Sequence, residues 1–282
     1  MKLATFSIGG KVTWGLVSDG VVLDCGFVLR AKYPTLKSLI AAGGYAEVTA
    51  ACDSAKSYPI ATIDWLPVVP DPAKILCIGL NYEMHRLEAG RETSTHPSVF
   101  TRFADTQVGH AAPVVRPFVS EQLDYEGELA VVIGRAGRHI SRDSAMDHVA
   151  GYACYNDVSV RDWQRHTPQW TPGKNFPATG AFGPYLVTAD EIADYRQLKI
   201  ETRLNGETVQ SAGLDQLIFP IPVLIEYLSQ FTPLSPGDVI ATGTPGGVGF
   251  KREPPLFMKA GARVEVEISR VGLLVNSIVD ER

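Results

Sequence analysis

The sequence predicts an α+β chain in which strands dominate. Three observations carry that reading. Branched and aromatic residues gather in short runs separated by turns rich in glycine and proline. Helical periodicity is confined to a few short stretches. Strands do not alternate regularly with long helices, which argues against a doubly wound sheet or a (β/α)₈ barrel.

Taken in order, residues 2–8, 11–18 and 20–23 alternate as short strands with glycine-containing turns between them. Residues 35–45 and 46–55 read as helices broken by Gly43-Gly44. The proline-punctuated passage Trp65-Leu66-Pro67-Val68-Val69-Pro70-Asp71-Pro72 suits a connection between domains. A small N-terminal α+β domain is therefore expected over residues 1–70 and a catalytic domain over 71–282. The second unit restarts with a strand over 74–79. Further strands are expected over 98–103, 125–133, 151–158, 183–187, 198–204, 238–242 and 263–268, with helices over 141–148 and 222–231. Pro236-Gly237-Asp238 and Ala260-Gly261-Ala262 read as turns before strands. No internal repeat or low-complexity tract is evident.

Composition excludes several classes. Hydrophobic residues make up 45% and charged residues 20%, an ordinary globular balance. The formal net charge is −5 and no long basic block occurs, so nucleic acid is not an expected partner. The first ten residues lack the apolar core of a signal peptide, and no apolar run approaches the roughly 20 residues of a membrane span. Cys25, Cys52, Cys77 and Cys154 are scattered without metal or redox-pair spacing. A cytoplasmic protein with reduced thiols and no membrane partner is the expectation.

Chemistry concentrates in four places. In the run Asp124-Tyr125-Glu126-Gly127-Glu128-Leu129-Ala130-Val131-Val132-Ile133, two carboxylates two positions apart share one face of a strand. With Asp157 they form an all-oxygen set suited to Mg²⁺ or Mn²⁺ rather than zinc, with coordination positions left for a chelating substrate. The wet face of an edge strand, with Asp157 capping a turn, accounts for the spacing equally well. Second, His85 and Glu88 are three apart, and on a helix the carboxylate would orient the imidazole as a general base. A solvated helical ion pair fits that spacing at least as well. Third, Arg161, Gln164 and Lys174 offer donors to a developing oxyanion; singly, each reads as a surface contact. Fourth, Thr242-Gly243-Thr244-Pro245-Gly246-Gly247-Val248-Gly249 follows a strand, but no Gly-Lys-Ser/Thr or helix follows it. It reads as a backbone-lined pocket wall in which Thr244 offers a hydroxyl. No Gly-x-Ser-x-Gly elbow and no catalytic cysteine setting are present, so a covalent acyl-enzyme is unsupported.

Together these segments resemble the fumarylacetoacetate hydrolase family, in particular its bacterial acylpyruvate-hydrolase-like branch. The matching strings are Gly79-Leu80-Asn81-Tyr82-x-x-His85-x-x-Glu88, Asp124-Tyr125-Glu126-x-Glu128, Asn156-Asp157-Val158-Ser159-x-Arg161-Asp162-Trp163-Gln164, Gly173-Lys174-x-Phe176, Leu204-Asn205-Gly206 and Thr242-Gly243-Thr244-Pro245-x-Gly247-Val248-Gly249. They run in family order from about residue 74 to the end. The resemblance implies a mixed β-roll catalytic domain, commonly in a homodimer. It further implies Mg²⁺ or Mn²⁺ on Glu126, Glu128 and Asp157, and a lid carrying His85 and Glu88. Arg161, Gln164 and Lys174 would surround the substrate oxygens, with Thr244 and Tyr82 as substrate contacts. Two departures, Asn175-Phe176-Pro177 after Lys174 and Leu214 before Asp215, are expected near the substrate or lid and bear on substrate identity.

The implied reaction is metal-dependent hydrolysis of a C–C bond in an acylpyruvate-type 2,4-diketo acid, giving pyruvate and a carboxylic acid in aromatic or sugar-acid catabolism. The alternative keeps the site and changes the outcome: decarboxylation or isomerisation of a 2-oxo diacid. Candidate diacids are oxaloacetate and compounds of the 5-oxopent-3-ene-1,2,5-tricarboxylate or 2-hydroxyhepta-2,4-diene-1,7-dioate type. Both need an enolate, so the metal site cannot separate them. A silent binding protein would be expected to have lost part of the carboxylate set or the His–Glu pair, and all five residues are present.

Overall fold

The computed structural model describes all 282 residues. Strands dominate it, as the sequence predicts, and several fall on the expected bounds: Lys2–Ile8, Lys11–Ser18 and Arg263–Ile268. Its centre is a 12-stranded mixed sheet, with a 5-stranded sheet packed on one face. Strand Gly127–Ile133 shows how the layers are organised. It pairs on one side with Val149–Asp157 and on the other with Val239–Ala241, and every residue in it is buried. Leu129, Val131 and Ile133 join the core shared with Val264 and Val266 of the smaller sheet. Ala130 and Val132, one position out of step, join a second core with Leu36, Leu39 and Val48. The period-two alternation of a strand thus feeds two cores at once.

The first 70 residues extend the same large sheet. Strand Lys2–Ile8 lies antiparallel to Gly180–Thr188, with Lys2 opposite Val187 and Leu3 opposite Leu186. Helices Leu36–Ala42 and Tyr45–Cys52 cover this part of the sheet, separated by Gly43 in a left-handed cap at φ 62°. Thr35 and Ser38 cap the first of them reciprocally, which sets its start. The thiols of Cys25 and Cys52 approach to 3.8 Å, a pairing their spacing in sequence conceals. No helix is long and apolar enough to cross a membrane.

Three elements depart from the sequence reading. Residues Arg142–His148 form a 3₁₀ rather than an α-helix, in a segment where the Ser141 and Ser144 hydroxyls bond backbone groups of the first turn. Two strands, Glu207–Gly213 and Gly272–Asp280, were not expected. The first is an edge strand with a polar face, so it lacks a hydrophobic signal. Its hairpin turn is nonetheless written in Asn205-Gly206, both at positive φ (53° and 85°), the requirement of a tight hairpin turn.

His110 joins three parts of this architecture. Its Nδ1 accepts from the Val275 amide at 3.2 Å, and its ring meets Trp65 edge-on at 5.3 Å. Burial, reinforced by Arg263, pushes its pKa down from 6.5 to about 4. The fold holds the neutral ring, so this residue's stabilisation is complete above pH 6.5 and is lost as pH falls toward 4. We expect the stability difference between the protein and His110→Gln to shrink by about 1–3 kcal/mol across that window. Urea titrations at pH 7.5 and 4.5 measure it; a constant difference would contradict the assignment.

Candidate active site

The site begins with strand register. Gly127 pairs with Asn156, and the Asp157 amide donates to the Glu126 carbonyl at 2.9 Å, so Asp157 stands across from Glu126. Residues opposite each other point to the same face, and Glu128, two further along, shares it. The three side chains each offer an oxygen within 4.8 Å of the others, and all three residues are buried. The strand that carries Glu128 is interior to the sheet, which removes the wet edge-strand reading of this pair.

Buried cations hold this acidic face together. Lys174 Nζ lies 2.6 Å from Glu126 Oε2 and 2.6 Å from Asp157 Oδ2. Arg102 Nη1 donates to Asp157 Oδ1 at 2.7 Å. Arg161 reaches Glu126 Oε1 at 2.7 Å and Asp124 Oδ2 at 2.8 Å. Burial alone would raise the Glu126 pKa, but Arg161 and Lys174 outweigh it and hold the carboxyl at about 2. Burial would likewise strip the Lys174 proton, but Asp157 and Glu126 prevail and keep its pKa above the usual range. Glu128 fares differently. Burial, then repulsion from Asp157 and Glu126, pushes its carboxyl well above the usual range, against Lys174 and a hydrogen bond of 2.8 Å from the Gly243 amide. Gly243 makes that contact at φ 108°, and a Cβ there would lie 2.6 Å from Asn81 Cβ, so only glycine fits. Three convergent carboxylates, one of them driven toward its neutral form, make a donor set that a hard divalent cation completes.

His85 lies on the short helix Glu83–Glu88. Its Nδ1 is 2.7 Å from Glu88 Oε1, while Glu88 Oε2 accepts from the Gly247 amide at 2.9 Å. The dyad is thereby tied to the glycine-rich loop, and the imidazole is buried. That geometry replaces the solvated ion pair that spacing alone permits.

His85, Glu126, Glu128, Arg161, Gln164, Lys174 and Thr244 all line one cavity of about 190 Å³, room for a small acid rather than a large cofactor. Asp157 lies behind that lining, fully buried. Gln164 accepts from Arg161 Nη1 at 2.9 Å, and Arg161 Nη2 is buried without a hydrogen-bond partner in the protein. The Thr244 hydroxyl is already engaged, donating to the Gly127 carbonyl and accepting from Gln210 Nε2. Tyr82 is not brought to this cavity. Its buried side chain borders a neighbouring cleft with Met84 and Leu87. Of the two departures, Asn175 bonds Phe103 and Thr101 and so ties the Lys174 turn to the next strand, and Leu214 is buried in the core.

Sequence reasoning missed Arg102, Asp124 and Gln210. Asp124 is fully buried and accepts from Arg161 and from the Gly249 and Phe250 amides, so it fixes the glycine-rich loop beside Glu126. Its place immediately before the Tyr-Glu-Gly-Glu run was the available signal. Nothing in the sequence marks Arg102 or Gln210.

The model of the fumarylacetoacetate (FAA) hydrolase C-terminal region matches residues 74–279. The chain belongs to the fumarylacetoacetate hydrolase family. It is 45% identical over 223 residues to human oxaloacetate tautomerase FAHD2A, mitochondrial, covering 78% of this chain and 71% of that one. It is 44% identical over 226 residues to oxaloacetate tautomerase YisK of Bacillus subtilis (strain 168), covering 78% and 75%. Among solved structures it superposes on maleylpyruvate hydrolase from Sphingobium sp. SYK-6 in complex with manganese (II) ion and pyruvate. That match has a TM-score of 0.84 and 29% identity over all of both chains. The chain is thus an enzyme of a family whose members include tautomerases and hydrolases.

Proposed function

We propose that this enzyme interconverts the keto and enol forms of a 2-oxo diacid of the oxaloacetate type. The observation that carries the reading is one small cavity lined by buried His85, which half-buried Glu88 orients from behind, together with Glu126 and Glu128 of the three-carboxylate set. A divalent cation, Mg²⁺ or Mn²⁺, held by Glu126, Glu128 and Asp157 would polarise the 2-oxo group and acidify C3. The protein's own groups then move the proton. Glu88 fixes Nδ1 of His85, leaving Nε2 as the ring nitrogen that takes a proton from C3 and returns it. Arg161 Nη2 and the Lys174 ammonium are donors for charge that develops on the enol oxygen. Identities of 45% and 44% to two oxaloacetate tautomerases, against 29% to a hydrolase, favour tautomerisation.

Hydrolysis of a 2,4-diketo acid is the second reading. It is favoured by the same dyad, which can deprotonate water, and by the likeness to a hydrolase holding manganese and pyruvate. Two assays separate the readings: decay of enol-oxaloacetate absorbance, and pyruvate release from a panel of 2,4-dioxo acids, each with metal and with chelator. Metal-dependent acceleration of the first alone is expected. Pyruvate release without tautomerisation would sink the proposal in favour of hydrolysis. In either assay His85→Ala should lower turnover by about 10²–10⁴-fold. Its metal affinity should stay within about threefold, since the imidazole is not among the convergent carboxylates. Unaltered turnover in that variant would remove His85 from the chemistry.

A further inference from the structure

Three cations crowd one aromatic ring on the cavity wall. The Arg161 guanidinium carbon lies 4.5 Å from the Phe250 ring centroid, that of Arg165 5.5 Å, and Lys251 Nζ 5.2 Å. All four residues line the cavity of the active site. Arg161 is balanced by Asp124 and Glu126. The other two cations, both exposed to solvent, have no acidic partner in the protein. Arg165 donates only to the Arg161 carbonyl and to Gln122 Oε1, and the Lys251 ammonium has neither a hydrogen-bond nor an ion-pair partner. Both side chains are exposed at the cavity mouth, where water screens their repulsion, and a carboxylate set between them would add a direct, charge-assisted contact.

The cluster is also held in place. Gly249 and Phe250 donate their amides to buried Asp124, so Lys251 leaves from a tethered turn. Arg165 follows at once on the helix Arg161–Gln164, whose first residue reaches the metal-site carboxylate Glu126. Arg161 therefore touches both the acidic face and the cationic ring cluster, which makes them two ends of one binding site.

We infer that Arg165 and Lys251, arrayed around Phe250, receive the substrate carboxylate remote from the 2-oxo acid end. They would select dicarboxylic 2-oxo acids over acylpyruvates with neutral apolar ends. This inference rests on the 2-oxo acid reading of the site and adds the residues that set its specificity.

The test compares two ligand classes in the Mg²⁺-loaded protein and in Lys251→Met, Arg165→Met and Lys251→Arg. Calorimetry gives the affinities for oxaloacetate and for pyruvate. Oxaloacetate tautomerisation and solvent exchange of the C3 hydrogens of 2-oxobutanoate give the corresponding kcat/KM values. The unsubstituted protein should prefer the diacid. Each methionine variant should reduce that preference about tenfold, or about 1.4 kcal/mol, and Lys251→Arg should restore most of it. Equal losses for both ligand classes, or no preference in the unsubstituted protein, would overturn the inference. Charge-dependent diacid binding without any enolisation would instead uphold it and defeat the proposed reaction.

Discussion

Asp157→Ala should abolish turnover and weaken the metal-free fold by about 3–5 kcal/mol. Its Oδ1 accepts from Arg102 and its Oδ2 from Lys174, and all three side chains are shielded from solvent. Truncation removes one oxygen donor from the candidate metal set, leaves buried Arg102 without a carboxylate, and leaves Lys174 with Glu126 alone. The cost comes mainly from the uncompensated Arg102 charge and the weakened pairing of Lys174. Asp157→Asn separates the two effects. It keeps the volume and one acceptor, so it should recover part of the stability while remaining inactive. Urea unfolding in chelator, with Mn²⁺ titration of each variant, measures both quantities. Undiminished Mn²⁺ binding by Asp157→Ala would remove this residue from the ligand set.

Glu128→Gln should act in the opposite sense on stability while also abolishing turnover. Burial and two neighbouring carboxylates push the Glu128 pKa above its ordinary 4.5, so its charge opposes folding at neutral pH. The sign is fixed by linkage. A carboxyl whose pKa is raised in the fold is best tolerated at low pH, and its contribution worsens as pH climbs past its ordinary value. Gln can keep the Gly243 hydrogen bond without the charge. The metal-free variant should gain about 1–3 kcal/mol at pH 8 and gain nothing below about pH 4, where both states carry the proton. Thermal denaturation with chelator at the two pH values checks this, and loss of stability at pH 8 would refute it. A pair of neighbouring carboxylates whose removal shifts stability in opposite directions would mark a site that stores electrostatic strain suited to a cation.

Much of this arrangement is legible in the sequence, for reasons that differ by residue. Glu126 and Glu128 are readable because a strand has period two and needs no partner to place both side chains on one face. Asp157 is not readable that way. Its position opposite Glu126 depends on register with a strand about 30 residues away, so the sequence offers it as a third carboxylate without placing it beside the other two. His85 and Glu88 follow from helical spacing, yet the tie of Glu88 to the loop at Gly247, behind buried His85, is not revealed by the spacing. Arg102, Asp124 and Gln210 escaped because a buried support is defined by what surrounds it, and their neighbours come from distant strands and loops. Tyr82 belongs to a matching string, but the chain turns its ring into the protein interior. Asn205-Gly206 enters only as part of a matching string, and neither its tight turn nor the polar edge strand after it is read from that string.

The sheet order has a last implication. The ribbon from Lys2 to Ile8 borders the ribbon from Gly180 to Thr188, which in turn borders the one ending at Asp157. A polypeptide trimmed to begin at residue 71 would leave the amides and carbonyls around Leu186 and Val187 without their mates. The convergent carboxylate oxygens would then sit one ribbon from a bare, adhesive margin. In this molecule the leading quarter of the chain is the hem of the fabric into which the catalytic groups are woven.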